Sequence, residues 1–433
     1  MPNLLRILYY LARAMKRAYW DDVKLRKYQE RRLRSVVKYA YDFVPFYHEK
    51  FRKVGVIPGD IKTLEDLTKL PIVRKDEMRC EDPRKLVSVE YDINKLKVER
   101  TSGSTGQPFA TYMSGVEDDW RKSIYMRANI SCGQKPRDRW VVITSPHHFK
   151  DTTGIQRRLG IYAQTCVCLF SSVEEQIRFI NEARPDVLDG YSGSLLLLAK
   201  EVNGRGLKTI RPRIIFGSAD LMDVASRQFL ERVFEAPFYD QFGCAEVDRT
   251  AWQCPEKAGY HIDVDSVIMQ FVDNEEDEVS NGERGEIVYT SLFNYAMPFI
   301  RYAVGDVGVP SDEKCPCGRT FPLLKIVEGR RDSVLLLPDG RLLSPMAFRI
   351  AMSRFFEKIM QYRVVQKKRD LFKIYIKRKD ESIDEEILES ELEAHIKRML
   401  DLDVCEIKFE IKFVEHVPLS KSGKSMAVVS ELN

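Results

Sequence analysis

Between residues 140 and 244, short β-rich runs alternate with helical stretches, and this alternation constrains the fold more than any other feature of the chain. Trp140 to Thr144, Val167 to Phe170, Val187 to Tyr191 and Arg213 to Phe216 are rich in β-branched and apolar residues. Val173 to Ala183 and Ser194 to Val202 place apolar residues at helical spacing between some of them. Strands alternating with helices predict an α/β domain around a largely parallel sheet. Such sheets bind ligands in loops beyond the carboxyl ends of their strands.

With 433 residues the chain exceeds one ordinary core. Its pattern predicts a helical segment over 1–90, a core over 91–330 and a small domain over 331–433. Asp21 to Val44 and Tyr47 to Val54 read as helices, the second ending at Gly55, and Thr63-Leu-Glu-Asp66 resembles a capping box. Asn3 to Trp20 sets Leu4, Leu5, Leu8, Leu11, Ala12 and Met15 on one helical face. That face predicts a helix packed on the protein's own body rather than on a membrane surface. From Tyr260 to Ile300 the pattern is β-rich, and Glu328-Gly-Arg-Arg-Asp-Ser333 reads as a linker. Beyond it, a strand over Phe372 to Arg378, a helix over Glu385 to Met399 and a strand over Glu406 to Val414 predict a small α+β domain.

A net charge of +4 without a dense basic block argues against a nucleic-acid partner. The longest uncharged stretch, Leu159 to Val173, is too short and polar to span a bilayer. No secretory cleavage pattern follows the first helix, and nine scattered cysteines suit a reducing cytoplasm, the expected location.

Thr101, Ser102, Gly103, Ser104, Thr105 and Gly106 form an unbroken run of glycines and hydroxyl residues after a strand-like segment. Glycines allow close backbone approach and hydroxyls donate short hydrogen bonds, so phosphate is the usual guest of such a loop. It is not a Walker A loop, since no Gly-Lys-Ser/Thr follows. Three further segments complete a scheme: Tyr239-Asp-Gln-Phe-Gly-Cys-Ala-Glu246, Arg301-Tyr-Ala-Val-Gly-Asp306 and Pro418-Leu-Ser-Lys-Ser-Gly-Lys424. In this order they resemble the core motifs of the adenylate-forming superfamily of acyl-CoA synthetases and luciferases. The likeness is greatest to the short phenylacetate–CoA ligase-like branch, which includes CapK-like proteins. "YAYDFVPFYHEKFRKVGV" followed by "KTLEDLTKLPIVRKDEM" resembles that branch's N-terminus.

The resemblance implies an ATP-dependent, AMP-forming ligase that makes an acyl-adenylate, of an aryl or other small acid, and passes the acyl group to CoA. Thr101 to Gly106 would cradle the β- and γ-phosphates, and Glu246 would help hold Mg²⁺, which prefers oxygen ligands. Ser218, Ala219 and Asp220 would contact adenine, and Phe242, flanked by Asp240, Gln241 and Gly243, would offer it an aromatic face. Asp306 would accept both ribose hydroxyls, Arg330 would contact the ribose and Asp332 would be the hinge. Lys424 would reach the α-phosphate as the catalytic cation.

The chain departs from the family in two places. Gln107-Pro108-Phe109 stands where a lysine often follows the loop, and Ala245 where a phosphate-contacting Thr is usual. Two other acceptor classes stay open, an amine or a hydroxyl, as does a non-catalytic nucleotide-binding role. A homodimer is compatible with the sequence. His148 and Phe149, after Trp140 to Thr144, lie where a bound acyl group would reach. Separately, Cys254 and His261 in "CPEKAGYH", with Cys315 and Cys317 in "CPCG", supply the donors of a tetrahedral structural Zn²⁺ site. Free buried thiols are the alternative reading.

Overall fold

The computed structural model describes residues 2–101, 109–144, 146, 149, 154–219, 222–330, 335–343, 348, 351–352, 354–355, 357–400, 402, 407–417 and 428–432. Its helices are α1 (Leu4–Arg17), α2 (Asp22–Phe43), α3 (Pro45–Lys53), α4 (Lys75–Cys80), α5 (Pro83–Leu86) and α6 (Gly115–Ser131), then α7 (Gly154–Leu159), α8 (Val173–Ala183), α9 (Ser192–Gly204), α10 (Val224–Phe234) and α11 (Glu385–Met399). The strands begin with β1 (Val73–Arg74), β2 (Lys97–Thr101), β3 (Phe109–Met113), β4 (Trp140–Thr144), β5 (Gln164–Cys168), β6 (Val187–Tyr191) and β7 (Ile214–Ser218). They continue with β8 (Phe238–Cys244), β9 (Asp248–Gln253), β10 (Tyr260–Ile262), β11 (Val267–Val272), β12 (Gly285–Ser291), β13 (Tyr302–Ser311) and β14 (Leu323–Arg330). The last are β15 (Leu335–Leu336), β16 (Leu342–Leu343), β17 (Ile359–Lys368), β18 (Leu371–Arg378), β19 (Lys408–Phe413) and β20 (Val428–Ser430). β14 runs to Arg330, so Glu328–Arg330 is strand and not linker.

Two compact units are each assembled from two stretches of chain: 1–134 with 239–327, and 135–238 with 328–433. In the first, β8, β9, β10 and β14 pair antiparallel in turn, and β11, β12 and β13 form an antiparallel meander. β1 joins β13 in parallel, with Val73 opposite Tyr302 and Arg74 opposite Ala303. Asp21 caps α2 by accepting from the Lys24 N–H at 2.8 Å. Ser114 and Glu117 cap α6 reciprocally, as their spacing requires.

A buried ionic knot fastens α1 and α6 to the β9–β11 region. Arg127, fully buried, meets Asp263 at 2.5 Å and Asp265 at 2.9 Å. Arg17 bonds Asp265 at 2.6 Å, and Arg127 donates to the Ala14 carbonyl at 3.2 Å. Arg6 pairs with Asp119 at 2.6 Å. These pairs orient α1 differently from its apolar pattern. The buried face carries Ile7, Leu11, Ala14 and Arg17, whereas Leu5 and Leu8 turn outward. Arg6 and Arg17 have to face inward to reach their carboxylates, and the helix rolls accordingly.

In the second unit β5, β4, β6 and β7 form the predicted parallel sheet, with the order β7–β6–β4–β5. Its core packs Val141, Ile143, Leu188 and Ile215 against Ile180 of α8, Leu198 of α9 and Leu230 of α10. A Cβ on Gly217 would stand 2.2 Å from the Phe238 ring, so glycine is required where β7 meets that side chain. β19, β18, β17 and β20 form a smaller sheet, and Leu388, Leu392 and Ile396 of α11 share its core with Phe372, Ile374 and Ile376.

Lys200 of α9 is 5% exposed, with Nζ 2.7 Å from the Ile359 carbonyl and 3.0 Å from that of Met360 on β17. Burial pushes its ammonium down to about 7, Lys379 adds repulsion, and Asp223 and Glu357 oppose it. Between there and the ordinary 10.5, the unfolded chain holds a proton that the folded chain lacks. The contribution to stability is therefore complete above the ordinary value and is lost as pH falls toward 7. In urea unfolding, the stability of the parent protein relative to Lys200→Met is expected to rise by about 1.4 kcal/mol per pH unit across that window. A difference independent of pH would contradict the assignment.

Candidate functional site

The segment after β8 is aimed by a bulge. Register shifts between Phe242 and Gly243 against β9, and a Cβ on Gly243 would stand 2.1 Å from the Asp248 carbonyl oxygen. Only glycine lets the strands close there, and the local kink carries Glu246 inward to 1% exposure. Glu246 Oε1 accepts from Lys75 Nζ at 2.7 Å and from the Tyr302 hydroxyl at 3.1 Å. The Glu246 carbonyl accepts from Arg121 and, at 3.2 Å, from Asn294 Nδ2.

Lys75 is a residue that motif reading missed. It follows Arg74, whose parallel pairing with Ala303 sets the first turn of α4 beside Tyr302 and Glu246. Nothing in the spacing of "PIVRKDEM" announces that pairing, because a two-residue parallel strand has no periodicity to read.

Asp306 follows Gly305, whose φ of +86° needs glycine, and is itself buried. It accepts from the Tyr289 hydroxyl at 3.2 Å. Tyr289 and Tyr302 are direct cross-strand partners on β12 and β13. The two acids are thus linked through neighbouring tyrosines, Asp306 to Tyr289 and Glu246 to Tyr302. Burial first, and Asp306 second, hold the Tyr289 hydroxyl well above its ordinary range. Burial and then Glu246 do the same to Tyr302, and burial, Glu246 and Asp306 to the Cys244 thiol. Tyr289 and Cys244 thus feel both carboxylates, and Lys75 meets the charge of Glu246.

The other predicted residues are placed as follows. Asp240 accepts from the Tyr260 hydroxyl at 2.7 Å, and Gln241 donates to Asn129 at 2.9 Å. The carbonyl of half-buried Phe242 accepts from Thr250 at 3.4 Å. Ser218 ends β7 in the second unit, followed by Ala219 in the left-handed region at φ 70°. That is a strained turn for a residue with a Cβ. Phe149 is exposed. Thr101 ends β2 and Arg330 ends β14. Ser102 to Gly106, His148, Asp220, Asp332 and Lys424 lie outside the described residues.

The four predicted zinc ligands do come together in the first unit. The donor atoms of Cys254, His261, Cys315 and Cys317 all lie within 4.8 Å of one another. Cys254 Sγ stands 3.5 Å from Cys315 Sγ, and Cys317 Sγ 3.3 Å from His261 Nε2. His261 Nδ1 faces the Phe321 carbonyl at 3.4 Å, which points Nε2 at the sulfurs. Burial holds the imidazole down to about 4 and pushes the Cys315 thiol up to about 12. Three sulfurs and one imidazole nitrogen converging from two segments are the donor set of a closed tetrahedral zinc site.

No family model matches the chain. The phenylacetate-coenzyme A ligase of Thermus thermophilus is 28% identical over 323 residues, 72% of either chain. The phenylacetate-coenzyme A ligase of Escherichia coli is 28% identical over 327 residues, 72% of this chain and 73% of that one. Among solved structures, a 2-hydroxyisobutyryl-CoA ligase in the postadenylation state with 2-HIB-AMP superposes with a TM-score of 0.80 at 20% identity. It covers 96% of this chain and 92% of its own. At that identity the likeness speaks for the fold.

Proposed function

We propose that the chain is an ATP-dependent, AMP-forming acid–CoA ligase of the adenylate-forming superfamily, in its phenylacetate–CoA ligase-like branch, a reading supported by its similarity to the phenylacetate-coenzyme A ligases. A carboxylate oxygen attacks the α-phosphorus of ATP, pyrophosphate leaves and an acyl-adenylate forms. The CoA thiol then attacks the acyl carbon, loses its proton and releases AMP. The relatives' names support an aryl or other small acid as substrate. Two anions meet in the first step, so the site has to neutralise charge at the phosphates.

The observation that carries this reading is the buried Glu246–Lys75 pair, linked to Asp306 through Tyr302 and Tyr289. Glu246, a hard oxygen donor, fits magnesium, with nucleotide phosphates supplying further oxygens. Bound there, the ion would neutralise phosphate charge. Lys75 supplies a cation on this side of the site, where the loop lacks its usual lysine. Asp306 accepts the ribose hydroxyls, and Arg330 contacts the ribose. Phe242, with Asp240, Gln241 and Gly243 in its strand, and Ser218, Ala219 and Asp220 receive adenine. Thr101 to Gly106 hold the β- and γ-phosphates. Lys424 reaches the α-phosphate, Asp332 is the hinge, and His148 and Phe149 border the acyl group.

An exchange assay tests this. Labelled pyrophosphate is expected to enter ATP only when an acid is added, in a screen of aryl, short-chain and long-chain acids. CoA then yields the thioester, and Lys424→Ala abolishes both. Nucleotide binding without exchange for every acid contradicts the proposal.

We also assign Zn²⁺ to Cys254, His261, Cys315 and Cys317, in a structural role, since four protein ligands leave no open position. The purified protein is expected to contain one equivalent of zinc, and Cys315→Ser to lose it together with stability. Zinc-free native protein would contradict it. We also infer that the protein resides in the cytoplasm, a reading supported by the suitability of its thiols for a reducing compartment. Among the described residues no helix is long and apolar enough to cross a membrane.

A further inference from the structure

We propose that the outward face of α1 docks the protein on an anionic lipid bilayer. Three observations converge on this face. Leu5 is 81% exposed, Leu8 46% and Tyr9 54%, and helical geometry sets all three on one side with Ala12, Arg13 and Lys16. Arg13 covers the Tyr9 ring at 5.1 Å, so charge and aromatic surface are presented together. Tyr19 and Val23, just beyond the helix, are exposed as well.

The face is held in place. Arg6 to Asp119 and Arg17 to Asp265 fix the roll of α1, and buried Ile7, Leu11 and Ala14 seat its other side. Leu5 and Leu8 cannot turn inward without breaking these pairs. An isolated exposed leucine needs no explanation, but aligned apolar residues on a rigid helix flanked by cations do.

Charge identifies the occupant. Residues 1–40 contain eleven Lys or Arg against three Asp or Glu, a net +8, while the remainder of the chain carries −4. Arg13, Lys16, Lys24, Lys27 and Arg31 are exposed in this region. A second copy would bring the same positive charge and be repelled. The apolar side chains stand out from a convex helix, which suits insertion at the headgroup boundary, and cations beside them suit anionic headgroups.

The test is sedimentation of the full chain with phosphatidylglycerol–phosphatidylcholine vesicles and with phosphatidylcholine vesicles alone. Binding is expected to the first and to weaken with salt. Leu5→Ser with Leu8→Ser is expected to lower partitioning about tenfold or more. Arg13→Gln and Lys16→Gln are each expected to lower it about fivefold. Circular dichroism and acid-dependent pyrophosphate exchange stay at the parent level in every variant, which separates this proposal from the ligase reading. Absence of binding, binding indifferent to lipid charge, or variants that bind like the parent overturn it. So does a dimer by light scattering that the Leu5→Ser, Leu8→Ser variant dissolves.

Discussion

Glu246→Gln is expected to lower acid-dependent pyrophosphate exchange by about 100-fold or more, the scale of removing one preorganised electrostatic contact from a reacting centre. The carboxylate is buried, and its charge is met by Lys75 at 2.7 Å. Lys75→Met removes the counter-charge instead, and is expected to cost stability as well as rate. Breaking one partner of a buried pair typically costs about 3–5 kcal/mol, whereas replacing both by uncharged groups is far milder. The Lys75→Met, Glu246→Gln double variant should therefore recover most of the lost stability and none of the lost activity. Recovery of activity along with stability would reduce the pair to a structural tie, and an active Glu246→Gln enzyme would remove Glu246 from the chemistry.

Arg127→Met is expected to destabilise the fold by about 3–5 kcal/mol, because Asp263 and Asp265 stay buried without their shared counter-ion. The effect should be directional. Arg127 also holds the Ala14 carbonyl, so limited proteolysis is expected to release the segment around α1 before the rest of the unit. Asp263 retains Arg249 and the Trp252 indole N–H, the latter at 2.9 Å, while among the described residues Asp265 keeps only Arg17. Adding Asp265→Asn to Arg127→Met is accordingly expected to recover part of the loss. Urea unfolding measures both, and a penalty under about 1 kcal/mol for Arg127→Met would mean the knot is already satisfied without it.

The second unit was legible because its elements announce themselves locally. β4, β6, α8 and α11 fall where alternation and helical spacing place them, since β4 and β6 are buried almost throughout and each helix buries a regular stripe of its own sequence. The roll of α1 was not legible. Leu5 and Leu8 match an apolar stripe, but Asp119 and Asp265, distant in the chain, decide which side faces in. The Cys254, His261, Cys315 and Cys317 cluster could be named from residue type and turn context, and the fold closes the separation of 61 positions from Cys254 to Cys315 to bring the four together. Glu246 and Asp306, both of which the fold buries, were named from their motifs. Lys75, Tyr289 and Tyr302 were not, because they reach the acids only through strand register, a long-range property.

The most direct test follows oxygen. The acid that supports the fastest exchange is prepared with both carboxylate oxygens as ¹⁸O and turned over with ATP and CoA. Attack of the carboxylate on the α-phosphorus leaves one labelled oxygen in AMP and one in the thioester carbonyl. That distribution is predicted. Label in orthophosphate, with ADP as the nucleotide product, would contradict the account.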